Sequence, residues 1–102
     1  MLKRLVYFRI LSYVEGDKDV YDTYDYRVKN IIAEINNRFL CDIRIMKQKA
    51  YMWSEHKEDK KKTSELTWFC SASAESYNCL VEKWDSFDPL SAVSNFYIML
   101  DE

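Results

Sequence analysis

The sequence predicts a single α+β domain with the element order strand, helix, strand, strand, helix, strand, and three observations lead there. Apolar residues recur at three- and four-residue spacing in two stretches, which is the signature of a helical face. In four other stretches they alternate with period two, as on a pleated strand. One glycine and one proline in 102 residues exclude flexible linkers and glycine-rich loops.

The first strand covers Lys3 to Val14. Val6, Phe8 and Ile10 share one face, and Tyr7, Arg9, Leu11 and Tyr13 share the other. Glu15-Gly16-Asp17 ends it. A helix starts between Asp19 and Thr23, where aspartates accept from the free N–H groups of the first turn and favour the helix dipole. Val20, Tyr24, Val28, Ile31, Ile32, Ile35 and Phe39 form its apolar stripe. From Cys41 to Ser54 the period becomes two, with Ile43 and Ile45 on the buried side. Lys47, Lys49, Tyr51 and Trp53 then fall on that same side. Two lysines cannot stay buried there, so the pattern predicts a β-bulge or a long protruding hairpin. The hairpin tip is the charged stretch His56 to Lys62.

The return strand, Ser64 to Ser73, sets Leu66, Trp68, Cys70 and Ala72 against Thr67, Phe69 and Ser71. Ser73 is placed to cap the second helix. Tyr77, Leu80, Val81 and Trp84 give that helix its i, i+3, i+4, i+7 face, and Asp88-Pro89 stops it. Val93 to Leu100 alternates once more as the last strand.

Right-handed crossovers bring both helices to one face of a four-stranded antiparallel sheet, in strand order 4-1-3-2. This βαββαβ order, with its long central β-hairpin, resembles the ferredoxin-like fold along almost the whole chain. The resemblance is of element order and implies no catalytic residues, because the fold hosts many unrelated functions.

Composition narrows the function classes. Hydrophobic residues make up 48% and charged residues 31%, enough for one core without metal or disulfide staples. A formal charge of −2 implies neither strong nucleic-acid attraction nor its mimicry. Basic residues dominate from Arg27 to Lys49 and acidic ones from Glu75 onward. Cys41, Cys70 and Cys79 form no CxxC or CxxxC pair, so structural zinc is not expected, and each fits a small apolar position. Free cysteines point to a reducing compartment. Arg9 interrupts the apolar N-terminus and no small-residue cleavage site follows, so a cytoplasmic protein is expected.

Catalytic and cofactor signatures are missing. The single histidine, His56, sits in the charged tip and reads as a solvated side chain. Asp17, Asp19, Asp22 and Asp25 lie close together, but Gly16 precedes them where a calcium loop needs a glycine after its first acids. They read as a favourably charged helix start. A single glycine builds no phosphate-cradling loop. The expectation is a non-enzyme without cofactor or metal.

What is left is binding. The face of the sheet away from the helices would carry Tyr7, Leu11, Tyr13, Trp68 or Phe69, Tyr97 and Met99, too much apolar area for solvent alone. A partner protein, or a second copy in a homodimer, would cover it. The acidic segment with Asp19, Tyr21, Asp22 and Asp25 offers a second surface, suited to a basic, nucleic-acid-binding host enzyme. By general character such a chain suits a phage or mobile-element inhibitor of host machinery, of which anti-CRISPR proteins are one kind. The expected partner-binding residues are Tyr7, Tyr13, Asp19, Tyr21, Asp22, Asp25, Trp53, Lys60, Lys61 and Lys62. The alternative expectation is single-stranded nucleic-acid binding by the open face and the lysine-rich hairpin. It lacks the glycine- and aromatic-rich signature of RNA-binding modules, since the third strand reads Glu65-Leu66-Thr67-Trp68-Phe69-Cys70.

Overall fold

The computed structural model describes residues 4–15, 21–54, 62–87 and 96–101. Its elements are β1 (Leu5–Glu15), α1 (Tyr21–Phe39), β2 (Arg44–Ser54), β3 (Lys62–Ser73), α2 (Ala74–Phe87) and β4 (Phe96–Leu100). All four strands form one antiparallel sheet in the order β2-β3-β1-β4, the expected order read from its other edge.

Alternation decides which residues meet the helices. β1 contributes Phe8, Ile10 and Val14 to the core, and β3 contributes Leu66, Trp68, Cys70 and Ala72. Against them α1 buries Val28, Ile31, Ile32 and Ile35, and α2 buries Leu80 and Trp84. Both helices therefore cover the same face. Each fully buried Ile, Leu or Phe side chain contributes roughly 1.5–3 kcal/mol. Aromatic packing fixes the helix positions further. Tyr21 stacks on Trp68 with ring centres 6.2 Å apart and planes 7° from parallel. Phe96 of β4 lies 6.1 Å from Trp68 and meets Trp84 edge-on at 5.7 Å.

Both helices are capped by their own neighbours. Leu40, at φ 53°, reverses the chain after α1, and the Cys41 amide donates back to the Asn36 carbonyl at 3.2 Å. This is the αL ending that helices usually build with glycine. Asn36 then uses its side-chain amide as a strand would use its backbone. It accepts from the Ile43 amide at 3.1 Å and donates to the Ile43 carbonyl at 2.9 Å. For that reason β2 begins at Arg44 and not at Cys41, because the Cys41 and Ile43 backbone groups bond to Asn36 and the Asp42 amide bonds to Ser76 Oγ. At the start of α2, Ser73 Oγ accepts from the Ser76 amide at 3.3 Å, the expected cap.

The anticipated irregularity in β2 is a bulge. Ile45 pairs with Cys70, yet the next residue of β3, Phe69, pairs with Lys47, leaving Met46 extra. Beyond it Gln48 and Ala50 lie opposite Trp68 and Leu66 on the helix side, while Lys47, Lys49 and Tyr51 turn to the open side. One inserted residue thus resolves the conflict that two lysines posed for the buried face.

Two positions depart from the expected helical stripes. Val81 is exposed, because Tyr77, Leu80 and Trp84 are the α2 residues turned to the core, Tyr77 with its ring 5.1 Å from that of Phe8. Phe39 is exposed at the end of α1 and packs its ring edge-on against Phe87. The strand expected from Val93 is described from Phe96 onward, and the hairpin tip with His56 lies outside the described residues. Among the described residues no helix is long and apolar enough to cross a membrane.

Candidate docking surface on the open sheet face

The face of the sheet turned from the helices has no covering element among the described residues, and the register arranges it in rows. Lys47, Phe69, Arg9 and Met99 lie side by side across the four strands, and Lys49, Thr67, Leu11 and Tyr97 form the adjacent row. A third row holds Tyr51, Glu65 and Tyr13. Neighbouring strands lie about 4.8 Å apart, and same-face residues along a strand about 7 Å. Large side chains therefore sit close enough to shield the small ones between them. Leu11, Thr67 and Ser71 are buried on this face, whereas Tyr7, Tyr13, Tyr51, Tyr97 and Met99 are each 44–50% exposed.

These rings have polar partners. Tyr13 lies 6.4 Å from Tyr97, and its hydroxyl donates to Glu65 Oε1 at 3.2 Å. That bond, followed by the charge of Glu65, raises the Tyr13 phenol above its ordinary pKa. Lys49 places its ammonium 5.9 Å from the Tyr51 ring centre and 6.0 Å from that of Phe69, in cation–π range. Arg9, between Phe69 and Met99 in its row, is held by Asp101, Nε to Oδ1 at 2.8 Å.

Charge is uneven across the face. Edge strand β2 carries Arg44, Lys47 and Lys49 on this side. The acids that share it are Asp101, taken by Arg9, Glu65, which accepts from Tyr13, and Glu15 at the hairpin end of β1. Arg44 and Lys47 have no ion-pair partner among the described residues. The exposed acids Glu75, Glu82 and Asp85 lie on α2, which packs on the other face of the sheet, and of these Asp85 borders the groove at the β4 edge. At the other sheet edge a groove of about 500 Å³ runs along β4, lined by Tyr13, Tyr97 and Met99 from the open face and by Val81 and Trp84 from α2.

The sequence-expected binding residues separate into three groups. Tyr7 and Tyr13 stand on the open face as expected, and Asp22 is exposed at the start of α1. Asp25 and Tyr21 are partly buried and engaged within the domain, which leaves less of each on the surface than the sequence suggested. Asp25 Oδ1 accepts from Trp68 Nε1 at 2.8 Å and from Gln48 Nε2 at 2.9 Å, and its Oδ2 meets Lys29 Nζ at 2.8 Å. Tyr21 is pressed onto Trp68. Burial, then the charges of Asp25 and Asp22, raise its phenol pKa. Asp19, Lys60 and Lys61 lie outside the described residues, as do the side chains of Trp53 and Lys62, whose backbones belong to β2 and β3.

Of the two aromatic candidates on β3, Phe69 is on the open face, and Trp68 is fully buried beneath α1. Sequence reasoning did not place Tyr51 in this surface. The usable signal for Tyr51 was the alternation continued past a one-residue bulge.

No family model matches the chain, and no curated protein matches it. Solved structures do. The 30S ribosomal protein S6 from Thermotoga maritima superposes with a TM-score of 0.57 at 11% identity, covering 96% of this chain and 89% of that one. The de novo designed protein Foldit4 gives 0.50 at 12% identity over 97% and 98%. A protein of unknown function from Galdieria sulphuraria gives 0.50 at 6%, this chain spanning 51% of its length. At such identities the likeness is one of fold. The four-stranded antiparallel sheet with two helices on one face is ferredoxin-like.

Proposed function

We propose that this chain is a non-catalytic binding domain that docks another protein through the open face of its sheet, the partner presenting an acidic surface. The observation that carries this reading is the combination on one face of exposed Tyr7, Tyr13, Tyr51, Tyr97 and Met99 with the cationic edge of Arg44, Lys47 and Lys49. Tyrosine, methionine and arginine are the residues enriched where protein interfaces are buried. A second copy is a poorer fit than a different protein. Self-packing would cover Arg44, Lys47 and Lys49, whereas Glu15 at the hairpin end of β1 is the one acid of this face without a partner among the described residues, and a desolvated unpaired charge is costly. The expected inhibitor role drew on the acidic segment before and within α1 and on the acidic C-terminal part of the chain. With Asp25 and Tyr21 turned inward, that segment offers less surface than the sheet, and the charge sign sought in a partner is reversed.

The test compares wild type with a Lys47→Glu, Lys49→Glu variant as bait in lysate of the source cells. A specific protein held by wild type, released by raised salt and absent with the variant supports the reading. A Glu75→Lys, Glu82→Lys variant on α2 should retain it. Equal recovery by both sheet-face baits would exclude this face as the docking surface.

A second reading has one observation in its favour. Lys49 lies beside the rings of Tyr51 and Phe69, and central-strand aromatics flanked by cations are how open sheets stack the bases of single strands. Fluorescence anisotropy with short RNA and DNA oligonucleotides separates the two. Salt-sensitive binding lost in Phe69→Ala assigns the face to nucleic acid.

A further inference from the structure

Contacts between the turn after α1 and helix α2 run in step along both. Asp42 Oδ1 accepts from the Ser73 amide at 2.9 Å and from Ser73 Oγ at 3.0 Å, while the Asp42 amide donates to Ser76 Oγ at 3.1 Å. Phe39, three residues earlier, meets Phe87 at 6.1 Å and has Lys83 Nζ 5.5 Å from its ring centre. Cys41 lies between these two anchors. On α2 the residue between Ser76 and Lys83 on the same helical face is Cys79, by the i, i+3, i+7 spacing. The Asp42–Ser76 bond on one side and the Phe39–Lys83 contact on the other seat Cys41 against the stretch of α2 that carries Cys79, the Cys41 thiol itself donating to the Phe39 carbonyl at 3.6 Å. Both are free and partly exposed, and both pack against the edge of the same core.

We propose that Cys41 and Cys79 are a redox-responsive dithiol, which a small-molecule disulfide closes to an intramolecular bond that latches the α1–β2 turn onto α2. One thiolate attacks the oxidant's disulfide, forming a mixed disulfide and releasing one small thiol. The second thiolate then attacks the protein sulfur of that mixed disulfide and expels the other small thiol. The protein loses two electrons, the oxidant gains them, and the two thiol protons end on the released thiols. Such geometry speeds the second step, because the resolving sulfur is already next to its target. Cys70 cannot take part. It is buried in the core, and that burial pushes its pKa up to about 12.

The experiment incubates the full chain with oxidised glutathione, followed by intact mass, peptide mapping and thermal unfolding. The expected product is a monomer two hydrogens lighter with Cys41 linked to Cys79. Its unfolding midpoint should be higher by at least about 5 °C, reversibly on reduction. In Cys79→Ser the glutathione adduct should instead persist on Cys41, with no rise in midpoint. Persistent adducts on wild type, or linkage between chains, would overturn the proposal. Phenylarsine oxide gives a readout that needs no folded variant. A neighbouring dithiol binds one arsenical per wild-type chain, and failure to bind refutes the pairing.

Discussion

The indole N–H of Trp68 donates to Asp25 Oδ1 at 2.8 Å, and the same oxygen accepts from Gln48 at 2.9 Å. One carboxylate thereby joins α1 to β3 and β2. Trp68 is fully buried, so its N–H needs an acceptor inside the protein. Asp25 supplies it from the first turns of the helix and is itself balanced by Lys29.

Removing that acceptor should be severe. Asp25→Ala leaves the buried indole N–H and the Gln48 amide unpaired, with an expected loss of roughly 2–4 kcal/mol of unfolding free energy. Asp22→Ala, at an exposed position of the same turn, should change it by no more than about 0.5 kcal/mol. Urea denaturation of the two variants checks this, and equal effects would refute the role given to Asp25.

Deletion of Met46 should be tolerated although it lies within a strand. Met46 is the extra residue of the bulge and is exposed. Without it, Ile45, Lys47 and Gln48 would alternate regularly and keep their present faces. The expected loss is at most about 1 kcal/mol. Deleting Thr67 from β3, which is paired on both sides without a bulge, inverts one half of the strand and should abolish cooperative unfolding. Circular dichroism and denaturant melts distinguish the outcomes.

Leu40→Gly should stabilise the chain. Leu40 holds φ at 53° with its side chain 93% exposed, so little burial is lost when it is removed. Relief of the left-handed conformation is expected to contribute about 1 kcal/mol, less the greater unfolded-state entropy of glycine. A lowered urea midpoint would mean that Leu40 makes a compensating contact.

Alkaline pH should weaken the link between Tyr13 and Glu65. The folded-state pKa of Tyr13 is raised, so its contribution is fully present below the ordinary value of about 10. That contribution is lost as pH rises through the folded value. In Glu65→Gln the charge is gone and the Tyr13 phenol should ionise at lower pH. Phenolate absorbance titration of both proteins reads the shift, and an unchanged titration would dissociate Glu65 from it.

Periodicity carried most of the fold. Val28, Ile31, Ile32 and Ile35 could bury together only as a helical face, and Phe8 with Ile10, or Leu66 with Trp68, only as strand faces. Even the bulge was legible, since Lys47 and Lys49 conflicted with Ile43 and Ile45 in any regular strand. The start of β2 was not legible, because it depends on Asn36 imitating a strand partner for Ile43.

For the surface, the sequence by itself determined that Tyr7, Arg9, Leu11 and Tyr13 share a strand face. Alternation is a local property, and a single strand already contains it. Only the tertiary structure decided that Asp25 and Tyr21 pack with Trp68 of the core, and that Phe69 and not Trp68 faces out. Those outcomes depend on which residues from distant parts of the chain become neighbours. An aspartate preceding an apolar stripe is equally consistent with a solvated cap or with an acceptor beneath a helix. A tryptophan N–H supplied by β3, 43 residues onward, selects between them.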